Sequence, residues 1–268
     1  MTELPTCLYE PDGDLFHPTG LTRGPWDPGF QHAGPPAALL ARAVERAAGI
    51  SPGQVGRLGY DILRPVRVAP HRIETRTLRP GRNVEQIEAV LTDAERGDAL
   101  MRLSAWRLRE EELELPAGVG EPDPPPLPAS QGGISLPAFW TEPVAYHAAL
   151  DWRFVDGDFE EPGPATCWTR LRVPLVAGEE PSPLERMLVM ADAASGISHM
   201  LDWKAWMFIN VDLGIHLERL PEGEWMAMNA VTRLGPAGAG LCTSVLSDER
   251  GRVGVSTQTL RVARAARA

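Results

Sequence analysis

Asp192 lies in Met190-Ala191-Asp192-Ala193-Ala194, where an unpaired carboxylate among apolar neighbours is costly. A carboxylate there could accept a proton as a general base, although the residue also suits a helix N-cap or a solvated helical position. Gln258 alternates with Thr257 and Thr259. Only one face of such a strand is buried, so Gln258 either enters a site or pairs across an exposed face. Cys7, Cys167 and Cys242 are isolated, odd in number and without a neighbouring His. They read better as small buried apolar residues than as a nucleophile, a disulfide framework or a zinc site. His147, His199 and His216 show no spacing suited to a metal, so neither a metal nor a cofactor is expected.

Two alanine-rich apolar segments can carry these groups. Ala33 to Ala48 places Leu39, Leu40, Ala43 and Val44 on one helical face, and Pro183 to Met200 does the same with Leu184, Met187, Leu188 and Ala191. Each segment leads to a sheet-like stretch, opened by Tyr60-Asp61-Ile62 in the first half and Val211-Asp212-Leu213 in the second. Each half then closes on a hairpin of strand, acidic turn, glycine and strand, at Leu91 to Gly97 and Leu246 to Gly251. Aligning Gly97 with Gly251 sets Ser104 opposite Gln258, and the upstream match sets Gly59 opposite Asn210. Helix followed by about four antiparallel strands, twice, describes two related halves of one pseudo-symmetric body.

At 268 residues with 43% hydrophobic content, the chain can form two small cores. An acidic run from Glu110 to Glu114 and the prolines at 122, 124, 125, 126 and 128 mark the boundary. The expected division is an N-terminal domain over 1–115, a linker over 116–135 and a C-terminal domain over 136–268. A net charge of -10 gives no counterion-release binding to nucleic acid. Arg72, Arg76, Arg79 and Arg82 read as a solvated strand edge before they read as a phosphate-binding patch. No run of about 18 apolar residues predicts a membrane span. The first ten residues do not resemble a secretion signal, so the expected location is cytoplasmic.

Gly24-Pro25-Trp26 with His32-Ala33-Gly34-Pro35-Pro36-Ala37-Ala38-Leu39 resembles the opening of a hotdog central helix. Asp192-Ala193-Ala194-Ser195-Gly196, Phe208-Ile209-Asn210-Val211-Asp212 and Ser256-Thr257-Gln258-Thr259-Leu260 resemble, in order, three motifs of the double-hotdog acyl-CoA thioesterases of type II. The resemblance spans nearly the whole chain. It implies an α+β double hotdog, two antiparallel sheets each wrapped around a central helix and joined edge to edge.

The resemblance also implies chemistry of lipid metabolism: hydrolysis of an acyl thioester, from acyl-CoA or an acyl carrier, to a carboxylic acid and a thiol. Asp192, Asn210 and Gln258 match the residues that hold and activate water in that family. Asn210 stands where the family usually has Thr or Ser, but its amide can still orient water. His32 and Gly34 at the first helix, with Trp203 and Trp206 after the second, are candidate substrate contacts; the tryptophans equally suit packing between the halves. The alternative function is a non-catalytic acyl-thioester binding or scaffold protein with a decayed site. A hotdog hydratase fits less well, because Asp192 and His199 lack that spacing. Association into a homo-oligomer is compatible with all of these.

Overall fold

The structure, a computed structural model, describes residues 4–116, 118–119, 136, 140 and 142–265. The expected linker, 116–135, therefore lies outside the described residues except at 116, 118 and 119. In the first half, β1 (Tyr9–Asp12) and β2 (Leu15–Pro18) precede α1 (Gly34–Arg46), then β3 (Gly53–Ile62), β4 (His71–Arg79), β5 (Val84–Asp93) and β6 (Ala99–Arg109). The second half runs through β7 (Leu150–Asp156), β8 (Ala165–Leu171), α2 (Pro183–Ala191), α3 (Ala194–Ile197), β9 (Trp206–Asn210), β10 (Asp212–Leu217), β11 (Trp225–Leu234), β12 (Ala239–Asp248) and β13 (Gly251–Arg264).

Both long helices begin as their sequences require. Pro35 and Pro36 occupy the first turn of α1, where a missing N–H breaks no helical hydrogen bond. Ser182 caps α2 by accepting the Glu185 N–H at 3.1 Å, with Pro183 following it. Their apolar faces bury Leu39, Leu40 and Val44 from α1 and Leu184, Met187 and Leu188 from α2 in one core. The helices cross closely at Gly34, where a Cβ would collide with the Val189 carbonyl. The expected unbroken helix over 183–200 is interrupted at Asp192–Ala193 and ends at Ile197.

Among the described residues the strands form one antiparallel sheet, in the order β1-β2-β4-β5-β6-β3-β10-β13-β12-β11-β8-β7, with β9 also on β13. The two expected sheets are thus hydrogen-bonded into a single one through β3 and β10. Tyr60-Asp61-Ile62 ends β3, contrary to the expectation that it opens a strand. The seam pairs Gly59 with Gly214, Tyr60 with Leu213 and Leu58 with Ile215. A second contact between the halves runs through β1, where Leu8 N–H donates to the Pro174 carbonyl at 3.0 Å and Tyr9 N–H to that of Leu175 at 2.9 Å.

The closing hairpins are duplicated in structure as well as sequence. Asp93 accepts from Arg67 at 2.8 Å and from the Glu95 and Arg96 N–H groups. Asp248 accepts from Arg219 at 2.6 Å and from the Glu222 and Arg250 N–H groups. Both carboxylates are fully buried. Burial alone would raise their pKa values, but Arg67 and Arg219 with those N–H donors hold both below the usual carboxylate range.

The register corrects two sequence equivalences. The first hairpin turn, Ala94 to Asp98, is longer than Glu249-Arg250, so aligning the two glycines slips the following strand by one residue. One residue of slip moves a side chain to the other face. Ile87 pairs with Ala105 as Cys242 pairs with Gln258, making Ala105, not the half-buried Ser104, the counterpart of Gln258. Likewise Asn210 faces Leu260 as Val55 faces Arg107, so its counterpart is Val55, not Gly59.

Candidate active site

Asp192, Asn210 and Gln258 come from three separate elements and meet at the break between α2 and α3. A one-residue irregularity places Asn210 there. β13 pairs Leu260 with Asn210 but Thr257 with Gly214, leaving an extra residue between β9 and β10. The Asp212 carboxylate anchors this bulge by accepting the Thr259 N–H at 2.6 Å, and Val211 N–H donates to the Thr259 carbonyl at 3.0 Å. Phe208 is buried before the bulge and Leu213 and Ile215 after it, so the bulge sets the face from which Asn210 reaches Asp192.

Gln258 is fully buried. Its carbonyl accepts the Ser195 N–H at 3.0 Å, and its Nε2 donates to the Asp192 carbonyl at 2.9 Å and to Asp192 Oδ1 at 3.1 Å. One side chain thus satisfies backbone groups on both sides of the helix break while holding the carboxylate. Asn210 Nδ2 donates to the same Oδ1 at 2.6 Å. Asp192 is 6% exposed, and its Oδ2 lies 3.1 Å from His32 Nδ1.

His32 comes from the first half, immediately before α1. Its ring stacks on Tyr146 with centroids 3.7 Å apart and planes 2° apart. Gly34 N–H reaches Nδ1 at 3.2 Å, so Gly34 touches the site through His32 and is not on the cavity wall. Burial draws the His32 pKa below the ordinary imidazole range, against an upward pull from Asp192.

His32, Asp192, Ser195 and Asn210 line a cavity of about 560 Å³, with Gln258 and Tyr146 behind them. Trp203 lies on its wall, its ring 4.5 Å from Phe208 and 5.3 Å from Trp26, and Met207 is adjacent. Trp206 is not on the wall: the Arg264 guanidinium lies over its ring at 4.0 Å, on the pairing of β9 with β13. Sequence reasoning missed Tyr146 and the Ser195 N–H, and it did not single out Trp26 or Phe208 as wall residues. Trp26, Phe208 and Ser195 stand inside motifs already noted, whereas nothing local marks Tyr146.

The other candidates lie apart from this centre. Cys7, Cys167 and Cys242 are buried and unbridged, and burial raises all three thiol pKa values, which disfavours the thiolate. His199 is buried beside Trp203 with ring centroids 5.1 Å apart, and His147 lies against Trp140. In the arginine series, Arg72 meets Asp14, Arg76 meets Glu88 and Arg79 lies over the Trp106 ring. Among the described residues no helix is long and apolar enough to cross a membrane.

A buried carboxylate with neutral amide donors on one oxygen and an imidazole on the other can accept a proton from water at an apolar cavity. The family model described as the acyl-CoA thioesterase N-terminal domain matches residues 22–108, and the corresponding C-terminal domain model matches 119–262. No curated protein matches in sequence. Among solved structures, a putative thioesterase II from Thermobifida fusca is 21% identical, with a TM-score of 0.71 over 97% of this chain and 96% of that one. A hotdog-fold protein of unknown function from Alicyclobacillus acidocaldarius is 17% identical, with a TM-score of 0.68 over 97% and 96%. An acyl-CoA thioesterase II from Mycobacterium marinum is 14% identical, with a TM-score of 0.63 over 97% and 95%. These structures share the hotdog fold with this chain.

Proposed function

The chain belongs to the acyl-CoA thioesterase family and is a thioester hydrolase, and we propose that it hydrolyses acyl-CoA through a water activated by Asp192. The observation that carries this reading is the buried Asp192 carboxylate on the cavity wall, its Oδ1 held by Asn210 and Gln258. Two amide donors keep that oxygen in place, so the carboxylate is oriented before substrate arrives. Water attacks the acyl carbon, its proton passes to Asp192, and the departing thiolate takes that proton back. Asn210 supplies one of the two amide donors here, while Gln258 is a positioning residue because its amide is committed to Asp192 and the helix break. His32 and Ala33, which precede α1, border the cavity, so the positive end of the helix dipole lies towards the developing oxyanion.

The fold belongs in the same reading as two hotdog units sharing one sheet, divided at 1–115, 116–135 and 136–268. Trp26, Trp203 and Phe208 would receive the acyl group. Buried free thiols are compatible with a reducing cytoplasm and a role in lipid metabolism. The test is thiol release across linear and aromatic acyl-CoAs, repeated with acyl-carrier thioesters, for the native chain and Asp192→Asn. Turnover should fall by roughly 10²–10⁴-fold in Asp192→Asn while the fold survives. A folded Asp192→Asn protein with undiminished release would sink the assignment. Binding of acyl thioesters without release by the native chain would favour the scaffold alternative.

A further inference from the structure

Asp192 divides its two oxygens between different kinds of partner. Oδ1 takes two amide donors, neither of which titrates, whereas Oδ2 faces an imidazole at 3.1 Å. We propose that His32 is the proton-holding partner of Asp192, so that the two residues together take the proton released by the attacking water and return it to the thiolate. This inference rests on the thioesterase reading above and adds a residue from the other half of the chain to its chemistry.

The ring is held for such a task. Tyr146 supports one face of it, and the Tyr146 hydroxyl donates to the Val189 carbonyl in the last turn of α2 at 2.7 Å. The His32 backbone N–H donates to the Thr22 carbonyl at 2.8 Å, which fixes the main chain that carries the ring. Imidazole and carboxylate are therefore fixed from opposite halves of the chain, both on the cavity wall. Asp192 is the charged group acting on the ring, and Tyr146, the other titratable group against it, is kept protonated by burial. Asp27 and Arg64 lie farther along the cavity lining. Burial draws the His32 pKa down, and Nδ1 accepts the Gly34 N–H at 3.2 Å, so the nitrogen that faces Asp192 Oδ2 presents a lone pair to an incoming proton.

The proton is conserved through the cycle. The water oxygen bonds to the acyl carbon while one of its protons moves to Asp192 Oδ2 and is shared with His32 Nδ1. When the carbon–sulfur bond breaks, its electron pair stays on sulfur and the shared proton passes to the thiolate. The products are a carboxylic acid and a thiol, and the pair is left as it began.

His32→Asn tests this, because an amide near the Nδ1 position can still accept the Gly34 N–H but cannot titrate. With hexanoyl-CoA and benzoyl-CoA as probes, kcat should fall on the order of 10²-fold with little change in KM. The acid limb of the kcat profile should simplify from two coupled steps to one carboxylate step. Independently of turnover, the NMR titration of the His32 ring should move to lower pH in Asp192→Asn, because the carboxylate that favours imidazolium is gone. Native turnover and an unchanged acid limb in His32→Asn would overturn the proposal, as would an unshifted His32 titration in folded Asp192→Asn. If Asp192→Asn is inactive while His32→Asn is native, only the role of His32 fails. If Asp192→Asn is fully active, the site assignment fails with it.

Discussion

The two halves keep the same hairpin and differ at the site. Asp93 with Arg67 and Asp248 with Arg219 are near copies, each a fully buried carboxylate closing a turn. At the site, the second half has Asn210 and Gln258 where the first has Val55 and Ala105. Helix α1 carries no Asp or Glu before Glu45, near its far end, whereas α2 runs directly into Asp192. Every hairpin must satisfy its own turn. The proposed reaction needs only one constellation, and Val55 and Ala105 are buried apolar core. The first half is nevertheless part of the candidate site, because His32 and Trp26 line its cavity.

Substitution at the apparent counterparts sharpens this contrast most. Gln258→Ala leaves the Ser195 N–H and the Asp192 carbonyl without their buried partner and frees the carboxylate to shift. We expect thiol release to fall by up to about 10²-fold, less than in Asp192→Asn. Ser104→Ala removes only an acceptor for Gln86 on the half-buried face and should leave turnover unchanged. Equal losses in the two variants would restore Ser104 as the counterpart and break the register argument.

The hairpin copies should respond alike in stability. Asp93→Ala and Asp248→Ala each leave an arginine and backbone N–H groups without their buried acceptor, costing about 3 kcal/mol by urea unfolding. A large cost in one half and none in the other would show that the hairpins are not structural equivalents. Both native carboxyl pKa values are lowered, so this stabilisation is present above the unfolded carboxylate pKa and is lost as pH falls through the folded one.

A further asymmetry lies where the end of α1 meets the start of α2. Burial, then the nearby Glu45 charge, raises Glu185 to about 7. A folded-state pKa above the unfolded value means that the folded chain binds the extra proton between the ordinary Glu range and pH 7. Stability from this residue therefore falls as pH rises through that window, by on the order of 2 kcal/mol, and levels off above it. Glu185→Gln should flatten that slope in pH-dependent thermal or urea unfolding. A slope identical to the native one would show that Glu185 is not its source.

The duplication, the two helical segments and the placement of Asp192 were legible in local pattern, whereas Asn210 and Gln258 joined Asp192 as a set only through the family resemblance. Apolar periodicity marks a helix, acidic turn plus glycine marks a hairpin, and a carboxylate among alanines stands out. The break after α2 was not legible, since Met190-Ala191 before it and Ala193-Ala194 after it are ordinary helix residues; it depends on an amide from β13, far away in sequence, that satisfies the Asp192 carbonyl and the Ser195 N–H.

Sequence alone determined that two related helix-and-sheet units exist and which polar residues fall among apolar ones. Only the tertiary structure decided that Ala105, not Ser104, mirrors Gln258, that Trp203 lines the cavity while Trp206 does not, and that His32 meets Asp192. Each outcome depends on parts of the chain far apart in sequence. Strand face follows a register shifted by turn length, and the contact between imidazole and carboxylate joins residues from opposite halves, which become neighbours when β3 pairs with β10 and α1 packs against α2.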